Sequence, residues 1–84
     1  MVTKAVSKKN KANTSHSIGR YVVTDPEICH GQPTFRGTRI LVAHVLEQVA
    51  EGVDWETILH DWRGDLTREA IAEAVRLASQ AFLV

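Results

Sequence analysis

The segment from Thr24 to Val42 constrains this chain more than any other. It is long and irregular, yet it carries two prolines and two glycines at fixed intervals. Pro26 and Pro33 each lock a backbone φ, and Gly31 and Gly37 supply positive φ at two turns. Thr34, Phe35, Thr38 and Ile40 are strand-prone, so Pro33 to Ile40 reads as two short extended pieces folded about Gly37. That turn brings Arg36 and Arg39 together. Tyr21 to Val23 is a further short strand, stopped by Asp25 and Pro26. A sheet this small is marginal alone and requires a helical layer or a second subunit over it.

Beyond Val42 the hydrophobic period changes from that of strands to that of helices. Val42, Val45, Leu46, Val49 and Ala50 form the apolar stripe of a first helix, ended by Gly52. Asp54 is an N-cap for a second helix, with Val53 placed to staple to Ile58. Trp55, Ile58, Leu59 and Trp62 form its inner face. Gly64 breaks that helix and Thr67 caps a third, with Leu66 placed to staple to Ile71. Ile71, Ala74, Val75, Ala78 and Phe82 extend the stripe toward the C-terminus. Two capped helices separated by a short link are the sequence form of a helix-turn-helix. The fold expected is therefore mainly α: a three-helix, helix-turn-helix domain with a short N-terminal β cap. The domain is placed at residues 20–84, after a disordered basic tail at residues 1–19.

Composition explains why the tail is set apart. Residues 1–20 carry Lys4, Lys8, Lys9, Lys11 and Arg20 with no acid, whereas the remainder carries five arginines against ten acids, so the zero net charge hides two opposite halves. A basic arm on an acidic body suits a polyanion, an acidic protein surface, or its own domain. Eighty-four residues bury only about 60% of the surface exposed on unfolding, and such a core rarely yields more than roughly 3–5 kcal/mol. A homodimer is expected for that reason. The single cysteine rules out an internal disulfide framework and fits a reducing cytoplasm. No run approaches the roughly 18 apolar residues that span a bilayer, so no membrane contact is expected.

The ordered set Asp25-Pro26, Ile28-Cys29, Gly31-x-Pro33, Arg36-Gly37-Thr38-Arg39-Ile40 and Val42, followed by a helix closing on Glu51-Gly52, resembles the small prokaryotic family catalogued as domain of unknown function 433. The resemblance runs from about Tyr21 to about Ser79. It implies a compact helix-turn-helix protein that acts as an antitoxin paired with a nuclease-like, PIN-like toxin. The chain departs from the family pattern at several positions. His30 and Gln32 stand for the more usual Gly and Lys, Phe35 for an aliphatic residue, Leu41 for Pro, and Arg63-Gly64-Asp65 for a link containing Pro.

Candidate chemistry is sparse. Arg36 and Arg39 are the strongest partner- or phosphate-binding candidates, because two guanidinium forks on one turn can hold an oxyanion bidentately. The alternative is that they clamp the loop through Asp25, Glu27, Asp61 or Asp65, and the acid-rich body favours it. Lys8, Lys9, Lys11 and Arg20 join them as arm candidates. Cys29, His30, His44 and His60 lack metal-ligand spacing, and an adjacent His30 in an extended chain points away from Cys29, so neither metal, cofactor nor catalytic residue is expected. On the third helix, Arg68, Arg76 and Gln80 are the DNA-reading candidates. Glu69 and Glu73 cancel their charge, which makes any DNA contact weak. The expected function is a non-catalytic antitoxin; a protein interaction module that never touches nucleic acid is the alternative.

Overall fold

The computed structural model describes residues 16–83, and within them three short strands are followed by three helices. Strands β1 (His16–Ser17), β2 (Val22–Thr24) and β3 (Thr34–Phe35) form an antiparallel sheet in sequence order. His16 pairs with Thr24 and Ser17 with Val23 on one side of β2; Val22 pairs with Phe35 and Val23 with Thr34 on the other. The sheet thus begins within the segment that the sequence assigned to the tail. His16 and Ser17 carry no apolar pattern, so only the edge of β2 selects them as strand. The expected tail calls on residues 1–15, including Lys4, Lys8, Lys9 and Lys11, lie outside the described residues.

Between β2 and β3 the chain makes a tight turn at Cys29–Gly31 with three successive positive φ angles, 51° at Cys29, 58° at His30 and 81° at Gly31. The expectation of an extended backbone at Cys29 and His30 is therefore corrected. A left-handed conformation costs a residue with a Cβ roughly 1–2 kcal/mol, a cost that Cys29 and His30 both carry. After β3 the chain reverses about Gly37 (φ 79°), with Thr38 N–H donating to the Phe35 carbonyl and Phe35 N–H to the Ile40 carbonyl. The second extended piece foreseen there is reduced to a single bridge between Thr34 and Leu41.

Helices α1 (Val42–Ala50), α2 (Trp55–Asp61) and α3 (Arg68–Gln80) fall where the stripes and caps place them. Asp54 accepts from Thr57 N–H and Thr67 accepts from Ala70 N–H, each at 3.1 Å. Helix α1 packs on α2 and α3, and α3 also packs on β2. The core joins Val22 and Phe35 from one sheet face to Ile40, Val42, Val45, Ile58, Leu66, Ala70, Ile71 and Ala74. Trp55 and Trp62 are half-buried against it. Two stripe assignments fail: Ala50 is exposed at the end of α1, and Phe82 lies past the end of α3 and is 85% exposed. No helix among the described residues is long and apolar enough to cross a membrane.

Candidate partner-binding site

The arginine turn and the root of the N-terminal arm are built as one unit. Residues Ile18 to Tyr21 link β1 to β2, and their backbone is gripped from two sides by opposite charges. On one side Arg36 reads the carbonyls: its Nε donates to the Arg20 carbonyl at 2.9 Å, and its Nη2 to the Gly19 carbonyl at 3.2 Å and to Ser17 Oγ at 2.9 Å. On the other side Glu73 of α3 reads the amides, accepting from the N–H groups of Arg20, Tyr21 and Val22 at 2.8, 2.7 and 3.1 Å. Burial pushes the Glu73 carboxyl up, but the donated N–H groups of Tyr21, Arg20 and Val22 and the nearby Arg76 outweigh it and hold the group below the ordinary carboxylate range. Gly19 makes this approach possible, since a Cβ there would sit 2.6 Å from the Glu73 carboxylate.

Arg36 is thus a clamp, but its partners are backbone carbonyls and a hydroxyl and not the acids of the body. The expected pairing of Arg36 and Arg39 with Asp25, Glu27, Asp61 or Asp65 does not occur; the ion pair found among the described residues joins Arg68 to Glu56. A side chain can pair with an acid only if the fold brings one within reach, and here the nearest acceptors are main-chain oxygens of the hairpin. Arg39 is exposed, and its guanidinium has no hydrogen-bond or ion-pair partner among the described residues. Arg20 is exposed with its guanidinium 5.7 Å from the Tyr21 ring centroid, a cation–π distance.

Arg39 also stands at the edge of a cleft of about 640 Å³ between the arginine turn, the start of α1 and the α2–α3 link. His44, Asp61, Trp62, Arg63 and Asp65 line its other walls, with Cys29 beneath Arg39. The Cys29 thiol donates to the Arg39 carbonyl at 3.6 Å, and the Trp62 indole N–H donates to Gln48, which in turn donates to Asp61. Two cations, two anions and a histidine around one opening give it a mixed rather than a single-sign field. His44 and His60 are exposed, as their helix faces required, and no group of three His, Cys, Asp or Glu able to hold a metal occurs among the described residues.

Of the residues expected on the outer face of the third helix, the DNA-reading candidates keep their place and Glu73 does not. Arg68, Arg76 and Gln80 are exposed on α3. Arg68 is already paired to Glu56, and Glu73, read from the sequence as an exposed charge, is half-buried and committed to the arm root. The sequence held one signal for this role: Glu73 lies three residues after Ala70 and four before Leu77, on the margin of the apolar stripe, where a carboxylate needs a polar partner. Nothing in the sequence singled out Gly19.

The family model described as protein of unknown function, DUF433, matches residues 22–78. The chain belongs to that family. Comparison with curated proteins finds no match, and comparison with solved structures finds none. The DUF433 match starts at Val22, so the gripping side chains Arg36 and Glu73 lie inside it while the gripped residues Ser17, Gly19 and Arg20 lie before it.

Proposed function

We propose that this DUF433 protein is the non-catalytic antitoxin of a type II toxin-antitoxin pair, neutralising a nuclease-like, PIN-like toxin by occluding it. The observation that carries the reading is the grip of Arg36 on Ser17, Gly19 and Arg20. It holds Arg36 against Arg20 where the described residues begin, and Arg39 shares a hollow with Arg36, so three arginines of an otherwise acidic body stand close to the root of the arm. A nuclease cleft that binds metal ions and nucleic acid is acidic, and a basic surface is complementary to it in charge. In this reading α2, the Trp62–Thr67 link and α3 serve as a helix-turn-helix, and operator DNA is a weak, secondary ligand. The site of action is the cytoplasm and the working form a homodimer.

A second reading, an interaction module without nucleic-acid binding, draws on a separate observation. Glu73 and Arg68 are spent on internal contacts, which leaves α3 few free polar groups to present to base edges. Growth separates the two. Expression of the adjacent gene alone is expected to arrest cells, and co-expression of this protein to rescue them, with rescue weakened when residues 1–15 are removed. A neighbour that is harmless alone removes the antitoxin reading and leaves the interaction module. Rescue that survives truncation removes only the role of the arm.

A further inference from the structure

The two faces of the small sheet differ in what they bury. Val22 and Phe35, paired across β2 and β3, point into the core, whereas the next pair, Val23 and Thr34, takes the opposite face by strand alternation. That face is closed by Ile28 and the arginine turn around a hollow of about 410 Å³, with Asp25, Arg36 and Arg39 on its walls. Thr34 is 1% exposed, and its Oγ1 has no hydrogen-bond partner, unlike the Thr38 hydroxyl beside it, which donates to the Phe35 carbonyl and accepts from Ile40 N–H. An isolated buried hydroxyl is unfavourable, and valine would fill the same volume without that cost. A donor that neither protein nor solvent satisfies gains a partner from a ligand once the side chains over it move aside.

The arginine turn beside it also keeps free donors, on exposed side chains. Arg36 uses Nε and Nη2 on the arm root, so Nη1 has no partner among the described residues, and Arg39 has none at all there. We propose that this hollow is a binding site for a single tetrahedral oxyanion of the phosphate class, held by Arg36 Nη1, the Arg39 fork and the Thr34 hydroxyl. Donors from a floor and two walls are not coplanar, which fits a tetrahedral group better than a flat carboxylate. Arg39, exposed and unpaired, is the side chain that moves to admit the anion to the floor. Asp25 opposes the ligand by its charge and limits affinity. The site goes beyond the antitoxin reading and stands whether or not the adjacent gene encodes a toxin.

The full chain is titrated with inorganic phosphate, with a nucleoside 5′-monophosphate and its parent nucleoside, and with acetate, all at matched ionic strength, reading amide shifts by NMR and the melting temperature. Phosphate is expected to shift residues 34–39 saturably and to raise the melting temperature, while acetate and the nucleoside do neither. A tighter response to the monophosphate identifies an ester as the ligand; an equal response identifies free phosphate. Thr34→Val is the decisive variant, because it removes the orphan hydroxyl without emptying the site: it is expected to melt at or above the parent temperature yet lose the phosphate response. Arg39→Ala is expected to weaken phosphate at least about tenfold, and Asp25→Asn to strengthen it. Phosphate behaving like acetate, or a Thr34→Val protein that binds phosphate as the parent does, overturns the proposal.

Discussion

A carboxylate that accepts three consecutive backbone N–H groups does the work of a missing strand. Residues 18–21 have no strand neighbour of their own on the α3 side, so Glu73 supplies the acceptors and Arg36 the donors that hold the hairpin link in place. Each such hydrogen bond contributes about 0.5–1.5 kcal/mol net, so losing the three with Glu73→Ala is expected to cost about 1.5–4.5 kcal/mol. For a domain of this size, each kcal/mol lowers the melting temperature by about 4–8 °C. Gly19→Ala should cost a similar amount, because its Cβ displaces the carboxylate from 2.6 Å. The two changes are expected to be strongly sub-additive, since Gly19→Ala has no carboxylate to displace once Glu73 is gone. Additive losses in thermal melts of the double variant would remove the argument. Because the folded pKa of Glu73 is lowered, its stabilisation is fully present above the unfolded carboxylate value of about 4.3. It is lost as pH falls through the lower folded value. The gap between parent and Glu73→Ala is therefore expected to be constant near neutrality and to close in acid.

At the scale of elements, the α2–α3 link sets where the two helices stop and start. Arg63 and Gly64 adopt positive φ of 56° and 82°, and Asp65 N–H returns to the Trp62 carbonyl at 3.0 Å, which turns the chain toward the Thr67 cap. Thr67→Ala removes the side-chain acceptor for Ala70 N–H and is expected to cost about 1 kcal/mol. Thr67→Asp, which keeps an acceptor at the same place, is expected to retain most of that stability. Equal melting of both variants with the parent would mean that the exposed end of α3 is solvated instead. Trp62 couples the same corner to α1 through Gln48. A Trp62→Phe variant keeps one aromatic ring in the corner and loses that bond, so the corner should loosen while the core remains.

For the molecule as a whole, the sheet leaves one side of β1 unpaired among the described residues, whereas β3 is partly covered by its bridge to Leu41. Ile18, Phe82 and Leu83 are large apolar side chains left on the surface. A core this small gains from a second copy, and pairing through β1 would extend the sheet across two subunits. Sedimentation at micromolar concentration is expected to give a dimer; a monomer with a sharp thermal transition would contradict it. The boundary of the arm matters for the companion test. Deleting residues 1–19 would remove Ser17 and Gly19 from the grip of Arg36, so the truncation must end at residue 15. Each phosphate neutralised contributes about −0.9 to the slope of log K against log salt, so three arm contacts amount to about −3. If DNA is bound, the shorter truncation is expected to flatten its salt dependence by that order, and an unchanged slope would move the contacts to the helices.

The helices and their caps were legible in the sequence because both signals are local. An apolar stripe repeats every three or four residues, and a capping side chain bonds an amide three positions away, so Asp54, Thr67 and the inner faces of α1 to α3 needed no distant partner to be read. The turn at Gly37 was legible for the same reason. What the sequence alone could not fix are contacts between residues far apart in the chain. Glu73 looks like one more solvent-facing acid until α3 is laid against residues 20–22, some fifty positions away. Gly19 looks like an ordinary loop glycine until that carboxylate arrives. Arg36 could be read as a clamp, but its partners followed from the placement of the hairpin, because electrostatics names the sign of a partner and only packing decides which acceptor is within reach. The burial of Thr34 Oγ1 is likewise a tertiary fact: alternation along β3 says which face it takes, and only the loop folded over that face decides that neither water nor protein meets it.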